Sequence, residues 1–219
     1  MSKINSFTFG ISNVFLIRDK GMILIDTGTN ASRETYMKLF SDMEINPQEI
    51  DLIVISHGHS DHFAHVYELK ELTGAPVLCH KNAVHALRTG KNPKVIARNE
   101  LGKSILAIIK GNEPFVYKPV EPDLVVESIF DLNQYGVAGK IIHTPGHSEC
   151  SITVILDSGE AIVGDILVAS PFTGEPCIAY FANDEQALFE SIQMLLENAH
   201  TFYSGHGGPF TKEEISKLV

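Results

Sequence analysis

The sequence predicts an α+β fold in which a mixed sheet, or a pair of sheets, is flanked by helices. Three observations carry that expectation. Short apolar runs of strand length alternate with stretches of helical periodicity along the chain. Each half contains two neighbouring strands joined by a tight turn, an antiparallel signature that a purely parallel doubly wound sheet lacks. The chain has 219 residues, 44% of them hydrophobic, enough to bury one sizeable core, so a single domain over 1–219 is expected.

The elements follow in order. Residues 13–17 and 22–25 are apolar runs, and Asp19-Lys20-Gly21 between them reads as a hairpin turn. Asp26-Thr27-Gly28 closes the second strand. Tyr36, Leu39, Phe40 and Met43 recur at helical spacing, placing a helix over 32–43. Pro47 opens a short turn or helix. Residues 52–55 are four consecutive apolar residues, the pattern of a strand covered on both faces. A helix is expected over 62–72 and a strand over 76–79. From 124 the chain becomes β-rich, with strands expected over 125–132, 140–143, 151–156 and 161–165. An amphipathic helix spans 184–197, a strand ends near His206, and a helix closes the chain over 212–218.

Composition excludes several classes. The net charge of −10 opposes a whole-protein electrostatic grip on nucleic acid or on an anionic membrane. The apolar runs, such as 105–109, are far short of the roughly 18 residues that span a bilayer. The N-terminal residues 1–6 have no signal-peptide pattern. Three widely spaced cysteines, Cys79, Cys150 and Cys177, form no disulfide framework, so a reducing cytoplasm is expected. One segment departs from the rest: 81–118 carries eight basic and two acidic residues, +6 against −16 for the remainder. It reads either as a solvated, insertion-like face paired with acids or as a cover that steers an anionic substrate.

The chemistry concentrates in His57-x-His59-x-Asp61-His62, directly after a buried strand and before a helix. Composition alone would produce these four residues at this spacing in about one such chain in a thousand. His57 and His59, two apart on extended backbone, point to one side and can share a cation. Asp61 and His62, at the turn into the helix, diverge toward a second one. Imidazole with carboxylate suits zinc, iron or manganese. Three further donors stand at strand ends or glycine turns: His147 in Pro145-Gly146-His147-Ser148, Asp165 after Gly164, and His206 in Ser204-Gly205-His206-Gly207-Gly208. Each alone is as readily a turn residue. His65, His80, His85, His143 and His200 belong to no complete motif and read as surface or satisfied core residues.

These motifs, in this order and together with Asp26 in its Asp-Thr-Gly turn, resemble the metallo-β-lactamase fold superfamily of metal-dependent hydrolases over nearly the whole chain. The resemblance implies a four-layer αββα sandwich with its metals at one edge. It implies two divalent metal ions, zinc first, with iron or manganese as alternatives. His57, His59 and His147 would hold one ion, Asp61, His62 and His206 the other, and Asp165 would bridge them. Asp26 would orient the histidine loop from behind.

The implied reaction is hydrolysis of a small ester, thioester or lactone by a metal-bridging hydroxide, with Asp61 orienting the nucleophile and moving its proton. His59, where flavodiiron reductases carry Glu, and a bridging Asp165, which true β-lactamases lack, point to the small-substrate branches resembling glyoxalase II or lactonases. Phe63-Ala64-His65 after His62, residues 166–171 without a Gly-Arg pair, and the short stretch after His206 depart from glyoxalase II and weigh against glutathione. Tyr180 is a candidate for binding a substrate oxygen, set against plain packing. Cys177 could lie near the pocket, and Phe172, Phe181 and Phe189 could line it, though packing is the default reading for all four. The alternatives are an iron-dependent oxidoreductase of the sulfur dioxygenase type and a metal-binding protein without catalysis. The expected partner is a small-molecule substrate, with neither nucleic acid nor membrane, and with a homodimer allowed.

Overall fold

A computed structural model of the chain describes residues 2–110 and 116–219. The first sheet has strand order β1 (Lys3–Phe9), β2 (Ser12–Arg18), β3 (Met22–Ile25), β4 (Leu52–Val54), β5 (Val77–His80) and β6 (Leu124–Val126). The β1–β2–β3 meander is antiparallel, and β3 to β6 run parallel. The second sheet is assembled from β7 (Ile129–Asp131), β8 (Gly139–His143), β9 (Ile152–Leu156), β10 (Glu160–Gly164), β13 (Thr201–Ser204) and β14 (Phe210–Thr211), with β10 and β13 parallel and the other neighbours antiparallel. Strands β11 (Leu167–Ala169) and β12 (Pro176–Ile178) make a separate hairpin.

The period-2 alternation of side chains explains why these strands read as unbroken apolar runs. Phe15, Ile17, Ile23, Ile25, Leu52 and Val54 point inward and meet Ile141, Val154, Leu156 and Ile162 of the second sheet. Their neighbours Val14, Leu16, Leu24 and Ile53 point outward, under α1 (Arg33–Asp42) and the helix of residues 66–73. In the second sheet Ile142, Ile155, Ala161 and Val163 point outward, under Leu188, Ile192 and Leu195 of the 185–198 helix. The result is helix, sheet, sheet, helix: the four-layer sandwich.

Local chemistry sets the helix starts. The Ser32 side chain accepts from Thr35 N to cap α1, and Asp184 accepts from Ala187 N to cap the 185–198 helix. The expected single helix over 62–72 is instead two, α2 (Ser60–Phe63) and α3 (Val66–Thr73). The His62 carbonyl accepts from Thr27 N and Thr27 Oγ1, so it is engaged by the Asp-Thr-Gly turn at the point where the helix would continue. The expected strand over 125–132 is likewise split. His80 bonds the Glu127 carbonyl and His143 N donates to the Ser128 carbonyl, and between these contacts the chain leaves the first sheet and enters the second. The closing helix α7 covers only Lys212–Ile215. The numbering is completed by α4 (Val84–Thr89), α5 (Glu100–Lys110) and α6 (Glu185–Asn198).

The basic segment folds largely as α4 and α5. Five of its cations pair with carboxylates, Lys81 with Glu127, Arg88 with Glu121, Arg98 with Glu185, Lys103 with Glu100 and Lys118 with Glu68, while Lys91 and Lys94 are exposed. Glu113 and the side chain of Lys110 lie outside the described residues. No helix among the described residues is long and apolar enough to cross a membrane.

Candidate metal centre

Parallel strands end together, and that places the site. The C-terminal ends of β3 and β4 deliver Asp26 and the Ser56-His57 turn, and those of β10 and β13 deliver Asp165 and His206. His147 comes from the turn between β8 and β9. Backbone bonds sew the two sheets together at this edge: Asn13 N donates to the Gly205 carbonyl at 2.7 Å, and Ile152 N to the Ser56 carbonyl at 2.9 Å.

The seven expected donors converge into two groups that share Asp165: His57, His59, His147 and Asp165, and Asp61, His62, His206 and Asp165. In the first, His57 Nε2 lies 3.1 Å from His59 Nδ1, and His147 Nε2 lies 3.2 and 3.0 Å from these two atoms. In the second, Asp165 Oδ2 is 3.1 Å and Asp61 Oδ2 3.2 Å from His206 Nε2, while Asp165 Oδ1 is 3.3 Å from His62 Nε2. Asp165 Oδ2 is also 3.8 and 3.9 Å from the first group's His57 and His147 Nε2 atoms.

The far nitrogen of each ring identifies its tautomer. His62 Nδ1 donates to Asp26 Oδ2 at 2.8 Å, His147 Nδ1 to the Phe181 carbonyl at 3.0 Å, and His206 Nδ1 to the Ile11 carbonyl at 2.6 Å. Ser56 Oγ donates to Asp26 Oδ2 and so accepts from His57 Nδ1. In its neutral form each of these four rings therefore presents an Nε2 lone pair to the centre, the arrangement that supporting hydrogen bonds impose on metal-binding histidines. The Nε2 lone pairs of His57 and His147, turned on one another at 3.2 Å, repel unless a cation lies beside them. His62 Nε2 and Asp165 Oδ1 are in addition buried with no hydrogen-bond partner among the described residues. The donor set fits two divalent cations.

Electrostatics divides the same way. Burial holds His57 well below the usual imidazole range and brings His59 down to about 3, with neighbouring histidines adding to both. His147 is also lowered by burial. In the second group burial opposes protonation too, but the Asp165 and Asp61 carboxylates outweigh it. They raise His62 well above its ordinary value and push His206 up to about 10. Burial acts to raise Asp61 and Asp165, yet His62 and His206 hold both well below the carboxylate range.

Asp26 sits behind the cluster, fully buried, accepting from Ser56 N, Ser56 Oγ and His62 Nδ1 at 2.7, 2.7 and 2.8 Å. Its φ of +61° turns the carboxylate back under the histidine loop. Gly205 is required by proximity: a Cβ there would lie 2.2 Å from Asp165 Oδ1.

The centre opens into a cavity of about 690 Å³ lined by His59, Asp61, His147, Asp165 and His206 on one side. Tyr180 and Phe181 also line it. Burial and Cys177 push the Tyr180 hydroxyl up to about 12, so it keeps its proton. Cys177 lies behind this tyrosine. Phe172 is 81% exposed and lines nothing, and Phe189 packs on the second sheet's helix core. His65, His80, His143 and His200 bond backbone carbonyls, His80 also stacking on His143 at 4.1 Å, and His85 is exposed.

Three supporting residues escape sequence reasoning. Asn13 donates from its amide to the Ser204 and Gly207 carbonyls, Ser12 Oγ donates to the Asp61 carbonyl, and Asn92 Oδ1 accepts from Ser60 N at 2.6 Å. Asn13 had a signal, a polar amide inside an apolar strand. Asn92, in an irregular stretch far from every motif, had none.

A sequence profile described as the Metallo-beta-lactamase superfamily matches residues 7–206. The chain belongs to this superfamily. The probable metallo-hydrolase MJ0888 of Methanocaldococcus jannaschii is 33% identical over 168 residues, 76% of this chain and 72% of that protein. The probable metallo-hydrolase YflN of Bacillus subtilis is 24% identical over 235 residues, 95% of this chain and 85% of that protein. Among solved structures, the BLEG-1 B3 metallo-beta-lactamase has a TM-score of 0.75 at 21% identity, covering 99% of this chain and 97% of that one. TTHA1623, solved in a di-iron-bound form, has a TM-score of 0.73 at 22% identity, covering 98% of each chain. These structural likenesses speak for the fold of this superfamily member, which is the expected αββα sandwich.

Proposed function

We propose that this chain is a dinuclear metal-dependent hydrolase of a small ester, thioester or lactone. The observation that carries the reading is the sharing of Asp165 between two donor groups that open onto one cavity. His57, His59 and His147 would hold one ion and Asp61, His62 and His206 the other, with Asp165 between them. Zinc is the first expectation for this imidazole-rich set, and iron is the alternative that the di-iron form of TTHA1623 raises.

Two divalent cations held there supply a water acidic enough to attack at neutral pH and an electrophile for the substrate oxygen. The chain's own residues do the rest. Asp61, whose carboxylate lines the cavity and lies 3.2 Å from His206 Nε2, orients the attacking water and takes its proton. Tyr180, a protonated hydroxyl lining the same cavity, would donate to a substrate oxygen.

The test is turnover of an ester, thioester and lactone panel by protein loaded separately with zinc, iron and manganese. Hydrolysis that disappears in His147→Ala together with one ion supports the reading. Protein that holds two ions and hydrolyses nothing on the panel contradicts it, and oxygen consumption by the iron form would turn it toward an oxidoreductase.

A further inference from the structure

Apart from the metal donors, no described residue lining the cavity is charged. Ile11, Val95, Ile105, Val168 and Phe181 form its apolar surface. Its other polar groups are neutral: the Asn92 amide and the Thr29, Ser170 and Tyr180 hydroxyls. The Asn92 amide has a settled orientation, because Oδ1 must face the Ser60 N–H that it accepts. Its Nδ2 is then the donor left for a ligand. Among the described residues lining the cavity none is Lys or Arg. Arg98 is drawn to Glu185 and the Ala179 carbonyl, and Lys103 to Glu100, while Lys91 and Lys94, on either side of Asn92, are exposed and are not among the residues that line the cavity. The segment that carries a charge of +6 thus meets the cavity with Asn92, Val95 and Ile105.

We infer that the cavity selects an uncharged substrate, one whose scissile carbonyl lies at the donor cluster and whose apolar chain runs along the Ile11–Val95–Ile105 wall, with the Asn92 Nδ2 and Tyr180 hydroxyl reading neutral oxygens. The inference rests on the hydrolase reading and narrows it. An anion at the reacting end would be met by the cations; an anion at the tail end would be desolvated against aliphatic carbon with nothing to pair it. A volume of about 690 Å³ falls in the roughly 300–1,000 Å³ range of sites for drug-sized ligands, so a medium-length acyl chain fits. Substrates with a carboxylate remote from the scissile bond are disfavoured on this account.

Two esters of equal length test it on the metal-loaded protein: p-nitrophenyl octanoate and the mono-p-nitrophenyl ester of suberate, which ends in a carboxylate. kcat/KM is the readout because unproductive binding of the free carboxylate to the cations does not alter it. The neutral ester is expected to be preferred by about 100-fold or more. Val95→Lys, on an irregular and half-buried stretch, should narrow that preference by about 10-fold, and Ile105→Lys serves the same purpose from α5. Equal rates on the two esters, within about threefold, overturn the inference while leaving the hydrolase reading intact. If the loaded protein hydrolyses neither ester, the hydrolase reading passes to the thioester and lactone panel, and calorimetric binding of 2-nonanone decides the cavity. Binding that weakens about 10-fold or more in Ile105→Lys supports it, and absent binding or unchanged affinity overturns it.

Discussion

Asp26→Asn tests the support behind the centre. The side chain is almost isosteric, and the φ of +61° at this position is one that Asn adopts readily, so the strand end keeps its shape. The carboxylate accepts three bonds. After substitution the remaining oxygen still accepts from Ser56 N, but an NH2 group replaces the oxygen that faces Ser56 Oγ and His62 Nδ1. Ser56 Oγ can rotate and accept. His62 cannot keep its Nδ1 proton against another donor, so the proton moves to Nε2, the atom directed at Asp61 and Asp165. The lone pair needed by the second cation is lost. Substitutions of this kind cost about 10–100-fold in metal affinity, or about 1.4–2.7 kcal/mol. The fold loses one charge-assisted bond, about 1.5–3 kcal/mol, a fraction of a typical domain's stability. Asp26→Ala is the harsher control: it strands three donors, at roughly 1–3 kcal/mol each, and should compromise folding itself. Chelator competition on folded Asp26→Asn protein reads the two affinities separately. One weakened site and one near-normal site are expected. Two sites within about threefold of wild type would refute the tautomer argument.

Other perturbations give distinct signatures. Gly205→Ala puts a Cβ 2.2 Å from Asp165 Oδ1 and 2.7 Å from His62 Cε1, so Asp165 must move. It should cost roughly 1–3 kcal/mol, lower Tm by roughly 2–10 °C and cut turnover at least about 100-fold, as thermal melts and kinetics will show. In metal-free protein His62 and His206 carry protons at pH 7, so filling the second site should release about two protons per chain, read by calorimetry in buffers of different ionisation enthalpy. Since His206 is pushed up to about 10 in the folded chain against an ordinary 6.5, its contribution to metal-free stability is complete below pH 6.5 and fades as pH rises toward 10. Metal affinity rises over the same interval, and melts across that interval with and without the ion should therefore diverge. Tyr180→Phe should leave metal content unchanged and lower kcat/KM by about 10-fold or less, since an oxygen reader is lost from the wall but no donor to the cation.

Much of this architecture was legible because its causes are local. Both-face burial wrote itself into Leu52-Ile53-Val54-Ile55 as an unbroken apolar run, and the helical spacing of Tyr36, Leu39 and Phe40 marked α1. The His57-x-His59-x-Asp61-His62 run was legible from its own spacing, whereas His147, Asp165 and His206, each as readily a turn residue, became legible only through the resemblance to the superfamily. What escaped depends on distant partners. The interruption between α2 and α3 comes from Thr27, over thirty residues away, taking the His62 carbonyl. Strand β1 pairs only with β2 and is half-exposed, so its pattern is diluted by Lys3, Asn5 and Ser6. The split of β6 from β7 is a change of sheet that local propensity does not encode. The role of Asn92 exists only because the 81–118 segment folds back over Ser60.

Elemental analysis of the purified chain after exposure to excess zinc and gel filtration, alongside Asp165→Ala, goes straight to the shared-carboxylate centre. Two ions per wild-type chain, and at most one in the variant, are the predicted result. A wild-type chain that retains no ion, or a variant that retains both, contradicts the account.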